Sequence, residues 1–190
     1  QKFYSEKIVY LPHTYQPNDS TRKIPKKIFE KKELGLPEKS FVLCCFNAHQ
    51  KITPSIFKIW MKLLKNNKNS ILWLLEDNPT SCKNLRLEAS LEGVNSERII
   101  FAKRMPIDEH LARHKAADLF VDTFPYTAHT TCSDSLWVGL PVLTYIGESF
   151  ASRVAASLLN AIDLPELIAS SKKEYEEMAV KIMDNPNYLK

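Results

Sequence analysis

Glycine is scarce in this sequence. Only four glycines occur in 190 residues, and none of them stands in a G-x-G-x-x-G or Walker arrangement. Those glycine-rich turns let a backbone approach a phosphate closely, so their absence excludes a conventional dinucleotide or P-loop site. Any phosphate must instead be held by the N-terminus of a helix and by side chains.

Cysteine is also rare, with four residues in the whole chain. None forms a C-x-x-C pair, and Cys44 and Cys45 are neighbours within an apolar stretch. This pattern favours buried thiols in a reducing cytosol over a disulfide framework or a zinc site. We therefore expect a cytoplasmic protein that binds no metal.

Neither charge nor hydrophobic runs indicate an unusual partner. The net charge is only +4, which gives no bulk argument for nucleic acid. No apolar run approaches the roughly 20 residues that cross a bilayer, so we expect no transmembrane helix and no membrane partner. A basic run from Arg22 to Lys32 is typical of a solvated linker rather than of a nucleic-acid site.

The first 38 residues differ in composition from the rest. Residues 8–11 predict a short strand, residues 12–19 are rich in turn formers, and the stretch 35–37 marks a boundary. The chain begins at Gln1, with neither an initiator methionine nor a signal peptide. We interpret residues 1–38 as a segment of a preceding lobe, residues 39–190 as one domain, and the chain as a piece of a longer protein.

From residue 39 onward, apolar runs alternate with helix-spaced patterns. Strands are predicted at residues 41–46, 71–75, 98–102, 119–124 and 142–146. Helices are predicted at residues 54–66, 85–91, from 106, from 130, 149–160 and 172–183. This alternation predicts an α/β fold, a Rossmann-like parallel sheet with helices on both faces.

Three polar loops follow predicted strands, at residues 47–51, 103–105 and 127–131. Parallel sheets bind ligands outside the carboxyl ends of their strands, near the point where strand order reverses. We expect these loops to converge on one site.

The stretch 122–141 predicts a strand end, a polar turn and the beginning of a short helix. Thr130 or Thr131 is the predicted N-cap, and residues 131–134 have the form of a capping box. Free N–H groups and the helix dipole would attract an anion there, with His129 and the two threonines as side-chain donors. The same residues could instead only cap a structural helix.

Lys51 follows the first strand and could act as a point charge against a phosphate, although most lysines simply face solvent. His110, Arg113 and His114 share one face of a helix. They lack further ligands at metal-site spacing, so stacking of His110 on a base, with Arg113 as a donor, is the better interpretation. Asp134 could accept hydrogen bonds from ribose hydroxyls.

Two further interpretations concern a catalytic triad and the core. A Ser-His-Asp triad of His129 and Asp134 with Ser133 or Ser135 is disfavoured, because the G-x-S-x-G elbow is absent. The three tryptophans lie on apolar faces and are expected in the core: Trp60, Trp73 and Trp137.

Several separated motifs together resemble the C-terminal catalytic half of the O-linked N-acetylglucosamine transferase family. The match covers nearly the whole chain and is therefore more specific than any single motif. It rests on DTFPY (122–126), AHTTCSD (128–134), LWVGLP (136–141), SFASRVAASL (149–158), KITPS (51–55) and LPHTY (11–15).

The resemblance implies the donor-binding lobe of a two-lobed, B-type glycosyltransferase, inverting and metal-independent. That family moves N-acetylglucosamine from its UDP carrier to serine or threonine hydroxyls of proteins. Its N-terminal catalytic lobe and tetratricopeptide repeats lie outside this chain, so we expect the chain alone to be inactive. The expected partners are a UDP-sugar and protein acceptors, and no cofactor is implied.

The resemblance also implies a role for each matching residue. Lys51 would stabilise the departing diphosphate, and residues 129–131 would bind the pyrophosphate. The nucleoside would be bound by four further residues: Asp134 at the ribose, His110 and Arg113 at the uracil, and the backbone near Met105 at the base.

Two positions depart from the family pattern. Ala48 stands where the animal enzymes carry a glutamine that touches the nucleotide, and Ile107 stands where they carry a ribose-contacting lysine. Two other functions stay open. One is protein fucosylation from GDP-fucose, although the loop of those enzymes lacks the His-Thr-Thr pattern. The other is a non-catalytic module that binds nucleotide sugars or proteins.

Overall fold

Six strands form one parallel sheet in the computed structural model, which describes residues 4–24, 26–185 and 188. Their order across the sheet is β3-β2-β1-β4-β5-β6, and every neighbouring pair is parallel. The predicted α/β class with a parallel sheet is confirmed. The strands are β1 (Phe41–Cys45), β2 (Ser70–Leu75), β3 (Ile99–Ala102), β4 (Leu119–Val121), β5 (Val142–Tyr145) and β6 (Ile168–Ala169).

Helices alternate with these strands. They are α1 (Pro54–Asn66), α2 (Pro79–Leu91), α3 (Ile107–Arg113), α4 (Thr130–Trp137), α5 (Val154–Ala161) and α6 (Lys172–Asp184). Several begin at side-chain caps: Thr53 accepts from the N–H of Ile56, and Ser171 accepts from the N–H of Glu174. None of the helices in the described part of the chain has the length and apolar character that crossing a bilayer requires.

Helices cover both faces of the sheet. Four consecutive residues of β1, from Val42 to Cys45, are fully buried. Because successive strand side chains point to opposite faces, both faces must be covered. The four cysteines are buried and free, as predicted, and Trp60 and Trp73 lie in the core, whereas Trp137 is only partly buried.

The strand order places one reversal at the centre of the sheet. From β1 the chain moves outward through β2 to β3, then returns to the other side of β1 as β4 and continues to β5 and β6. Loops that follow β1 and β4 therefore leave neighbouring strands at the same edge, which is where such sheets bind ligands.

Several predicted boundaries were wrong. Residues 8–11 form no strand: Val9 and Tyr10 are each 81% exposed, and none of the six strands pairs with them. The helix predicted from residue 85 begins at Pro79, because Asn78 caps a polar first turn that carries no apolar periodicity. Residues 122–124 leave β4 for a turn, and the segment 149–153 precedes α5 as a 3-10 turn. The two-residue strand β6 is too short for a periodic pattern to predict.

The Tyr175 hydroxyl joins three elements inside the core. It donates to the main-chain oxygen of Asp122 at 3.0 Å and accepts from Trp60 Nε1 at 3.3 Å.

Replacing Tyr175→Phe leaves two buried polar groups without a partner, so we expect the free energy of unfolding to fall by about 1–3 kcal/mol. Urea denaturation measures it. The control Tyr188→Phe alters a partly exposed tyrosine and should change stability by less than about 0.5 kcal/mol. Equal effects of the two changes would contradict the assignment.

Candidate functional site

Asn47 joins the loop after β1 to the loop after β4. Its side-chain amide donates to Asp122 Oδ1 at 3.1 Å and to Thr123 Oγ1 at 2.8 Å. Its carbonyl oxygen accepts a hydrogen bond from the hydroxyl of Thr131, in the first turn of α4. Two of the three polar loops thus meet at the reversal in strand order, as the sequence predicted.

Asp122 is the buried centre of this junction. Its Oδ1 accepts from the N–H groups of Thr123 and Ala128, each at 2.7 Å, and its Oδ2 accepts from Thr144 Oγ1 at 2.7 Å. Complete burial raises the pKa of Asp122 to about 6, and these hydrogen bonds act in the opposite direction. The carboxylate therefore determines the path of the loop from residue 123 to residue 128.

Lys51 extends toward the loop after β4. Among the described residues, its ammonium donates one hydrogen bond, to the main-chain oxygen of Thr127 at 3.0 Å, and lies 3.8 Å from the centre of the Tyr126 ring. Partial burial lowers the pKa of Lys51, while the charge of Asp122 acts to raise it. An ammonium has three N–H groups, so this geometry leaves donors for an anionic ligand.

His129 lies within the electrostatic reach of Lys51. Desolvation lowers the pKa of His129, and the charge of Lys51 lowers it further. The imidazole is thus biased toward its neutral form beside a cation. The Tyr126 ring that Lys51 contacts lies 5.1 Å from the His129 ring, so Lys51 and the His129 loop occupy the same edge of the sheet.

The predicted caps of α4 were wrong. His129 occupies the N-cap position, and its side chain makes no capping hydrogen bond. The Thr131 hydroxyl contacts Asn47 rather than the helix backbone, and Asp134 pairs with Arg22, so the predicted capping box does not form. The side chains that the local sequence predicted as caps instead form hydrogen bonds with residues distant in the chain. The first turn of α4 keeps N–H groups that no side chain caps, as anion binding requires.

His110 lies in α3, after the third polar loop. Its Nδ1 accepts a hydrogen bond from Arg113 at 2.5 Å, and its ring lies 5.3 Å from that of Phe46. Burial lowers the pKa of His110 to about 3, and nearby positive charges act in the same direction. The ring is therefore neutral, and the hydrogen bond to Nδ1 assigns its proton to Nε2.

Arg113 is almost completely buried, with 1% of its surface exposed. Its guanidinium donates to the main-chain oxygen of Lys103 and stacks on Phe46, 4.6 Å from the ring centre. It therefore holds the loop of residues 103–105 and orients His110. Direct contact with a ligand, as the sequence suggested, would need an exposed guanidinium. Met105 follows in this loop and is partly buried.

Residues of the N-terminal segment contact α4, which sequence reasoning missed. The Tyr15 hydroxyl and His129 Nδ1 form a hydrogen bond of 2.8 Å, and Gln16 Nε2 donates to Thr130 Oγ1 at 3.4 Å. Arg22 pairs with Asp134 at 2.6 Å. One signal was available, since residues 11–15 belong to the motifs that carry the family resemblance.

These contacts also decide one earlier alternative. The Ser-His-Asp triad does not form, because His129 bonds Tyr15, Asp134 bonds Arg22 and Ser133 bonds Asn18. In the described ranges, no three His, Cys, Asp or Glu side chains are grouped so as to hold a metal ion.

Comparison with known proteins places this chain among glycosyl transferases. The sequence profile described as glycosyl transferase family 41 matches residues 17–190. An Arabidopsis thaliana protein named probable UDP-N-acetylglucosamine–peptide N-acetylglucosaminyltransferase SEC is 39% identical over 188 residues. A Caenorhabditis elegans UDP-N-acetylglucosamine–peptide N-acetylglucosaminyltransferase is 39% identical over 154 residues.

The chain corresponds to a small part of these relatives. The plant alignment covers 96% of this chain and 19% of the relative, and the nematode alignment covers 81% and 13%. A solved structure of a mutant O-GlcNAc transferase from Thermobaculum terrenum superposes with a TM-score of 0.85 at 27% identity. That superposition covers 99% of this chain and 35% of the other.

The raised pKa of Asp122 predicts a specific pH dependence. The folded protein keeps this proton up to pH about 6, whereas an ordinary aspartate releases it near 3.8. Between these values the folded state binds more protons than the unfolded state. The stabilisation is therefore complete below the lower pKa and is lost as the pH rises through the upper one, a change of about 3 kcal/mol.

The variant Asp122→Asn supplies the matched control, because its amide has the same shape, does not titrate and can donate to Thr144. We expect the stability of the unsubstituted chain relative to this variant to fall by about 2 kcal/mol between pH 4 and pH 7, because part of the full difference is already lost at pH 4. Urea unfolding of both proteins at each pH measures the difference. Parallel stability curves would show that Asp122 does not titrate in this range.

Proposed function

The chain belongs to glycosyl transferase family 41, and on that premise we propose that it is the donor-binding part of a protein O-glycosyltransferase. The whole enzyme moves N-acetylglucosamine from UDP-N-acetylglucosamine to serine or threonine hydroxyls of proteins. The names of the plant and nematode relatives support this assignment. The observation that carries it is the meeting of Lys51, His129 and the uncapped first turn of α4 at the reversal in strand order.

In this proposal the diphosphate of the donor lies against the first turn of α4. Lys51 neutralises charge on the departing diphosphate, and residues 129–131 supply side-chain donors beside the helix N–H groups. As the bond between the sugar and the diphosphate breaks, its electron pair passes to a phosphate oxygen. Donors already fixed in place stabilise that growing charge more than they stabilise the ground state.

The nucleoside lies toward α3. His110 is partly exposed and neutral, so its ring can stack on the base without the cost of stripping water from a cation. Arg113 acts through His110 and through the loop that carries Met105, whose backbone faces the base in our proposal. Asp134, one turn into α4, lies on the ribose side of the diphosphate.

We further propose a metal-independent, inverting reaction in which this chain forms one lobe of a two-lobed enzyme. A lysine and a helix N-terminus supply the positive charge that the leaving group needs. The acceptor hydroxyl and its proton acceptor would come from the other lobe, so the chain alone would not transfer sugar. The large share of each relative outside the alignment is compatible with a further lobe and with tetratricopeptide repeats.

Nucleotide titration tests the donor assignment. Because the proposed base site binds uracil, we expect calorimetry to show binding of UDP and of UDP-N-acetylglucosamine, with GDP at least about tenfold weaker. That factor corresponds to about 1.4 kcal/mol of discrimination. Binding of GDP alone would favour protein fucosylation from GDP-fucose. Binding of neither nucleotide would favour a module that interacts only with proteins.

The role of Lys51 is tested by turnover. We expect Lys51→Ala in the full-length enzyme to lower kcat by about 100-fold or more, the scale for losing one such electrostatic donor. The matched control is Lys62→Ala, since Lys62 is 57% exposed and pairs only on the surface with Glu176. The control should retain near-normal turnover. Similar kcat values for both variants would reject the role of Lys51.

A further inference from the structure

Arg22 lies inside the proposed donor site although it is distant in sequence. Its Nη2 atom donates to Asp134 Oδ1 at 2.6 Å, and the two residues are 112 positions apart in the sequence. The Asp134 side chain is only 7% exposed, whereas that of Arg22 is 30% exposed. Of the two side chains, that of Arg22 is therefore the one that solvent or a ligand reaches more readily.

Residues 15–22, which we call the strap, hold Arg22 in this place. Along the strap, Tyr15, Gln16 and Asn18 hydrogen-bond His129, Thr130 and Ser133 in turn, so the strap follows the first turns of α4. Beyond the strap, Lys27 pairs with Glu109 of α3 at 2.6 Å. The chain thus passes from the diphosphate side of the site to the nucleoside side, with Arg22 between them.

Electrostatic effects agree with that position. The charge of Arg22 contributes to the lowered pKa values of both His110 and His114 in the α3 region. The guanidinium is therefore close enough to act on the histidine proposed to stack on the base, while it contacts the aspartate proposed for the ribose side.

Arg22 also keeps unused hydrogen-bond donors. A guanidinium has five N–H groups, and the contact with Asp134 uses one terminal nitrogen. Its Nε is buried and has no hydrogen-bond partner among the described residues. A buried donor without a partner is unfavourable, and the terminal N–H groups that do not bond Asp134 remain to bind an oxygen atom of a ligand.

We propose that Arg22 is a nucleotide-binding residue that donates to the phosphate nearest the ribose while Asp134 holds its guanidinium in place. This inference rests on the proposed function. A planar guanidinium suits phosphate oxygens, which accept two parallel hydrogen bonds from it.

Calorimetry with UDP and with uridine tests the proposal, because only UDP carries the phosphates. We expect Arg22→Ala to weaken UDP binding at least about tenfold and to change uridine binding less than about twofold. Arg22→Lys keeps the charge without the planar fork, so its affinity for UDP should lie between that of the unsubstituted chain and that of Arg22→Ala. The control Lys23→Ala makes the same change of charge at the next residue, which is exposed, and should bind UDP normally.

Three results would overturn the proposal. Unchanged UDP binding by Arg22→Ala would mean that the guanidinium only pairs with Asp134. Tighter binding would mean that it obstructs the site. Equal losses for UDP and uridine would indicate a structural effect, which thermal unfolding without ligand would also report. If the unsubstituted chain binds GDP instead, the same comparison is made with GDP and guanosine. If it binds neither nucleotide, the proposed function fails together with this inference.

Discussion

The buried carboxylate of Asp122 is the interaction on which the candidate site depends. A charge without solvent is unfavourable inside a protein, and here four hydrogen-bond donors surround it. Those donors come from β5, from the loop after β1 and from the loop after β4 itself. The carboxylate therefore ties three separate parts of the chain together, and Asn47 extends the connection to Thr131 at the beginning of α4.

Apart from the buried carboxylates of Asp122 and Asp134, the groups around this junction carry positive charge or N–H donors. Lys51, the first turn of α4 and Arg22 all present positive charge or N–H donors toward the same edge of the sheet. The two nearby histidines are kept neutral by burial and by those cations, which limits the mutual repulsion. An arrangement of this kind is less favourable without an anion than with one, and in our proposal a nucleoside diphosphate supplies the negative charge.

The N-terminal segment is more than a linker, because its side chains contact the candidate site. Its composition separates residues 1–38 from the rest of the chain, and the boundary at residue 38 stays a prediction. Contacts nevertheless cross that boundary, since Tyr15, Gln16 and Arg22 bond residues of α4. Composition shows only that this segment lacks a core of its own. The side-chain contacts show that it takes part in the candidate site.

The sequence alone determined the α/β class, most strand positions and the polar loops that meet, because hydrophobic periodicity and turn residues are local properties. It also predicted that Lys51 and His129 lie at the same edge of the sheet, because their place after strand ends follows from topology. The caps of α4, the hub at Asp122, the burial of Arg113 and the pairing of Arg22 with Asp134 were decided by tertiary structure. Each of these depends on which distant side chain competes for a polar group, and no local pattern contains that information.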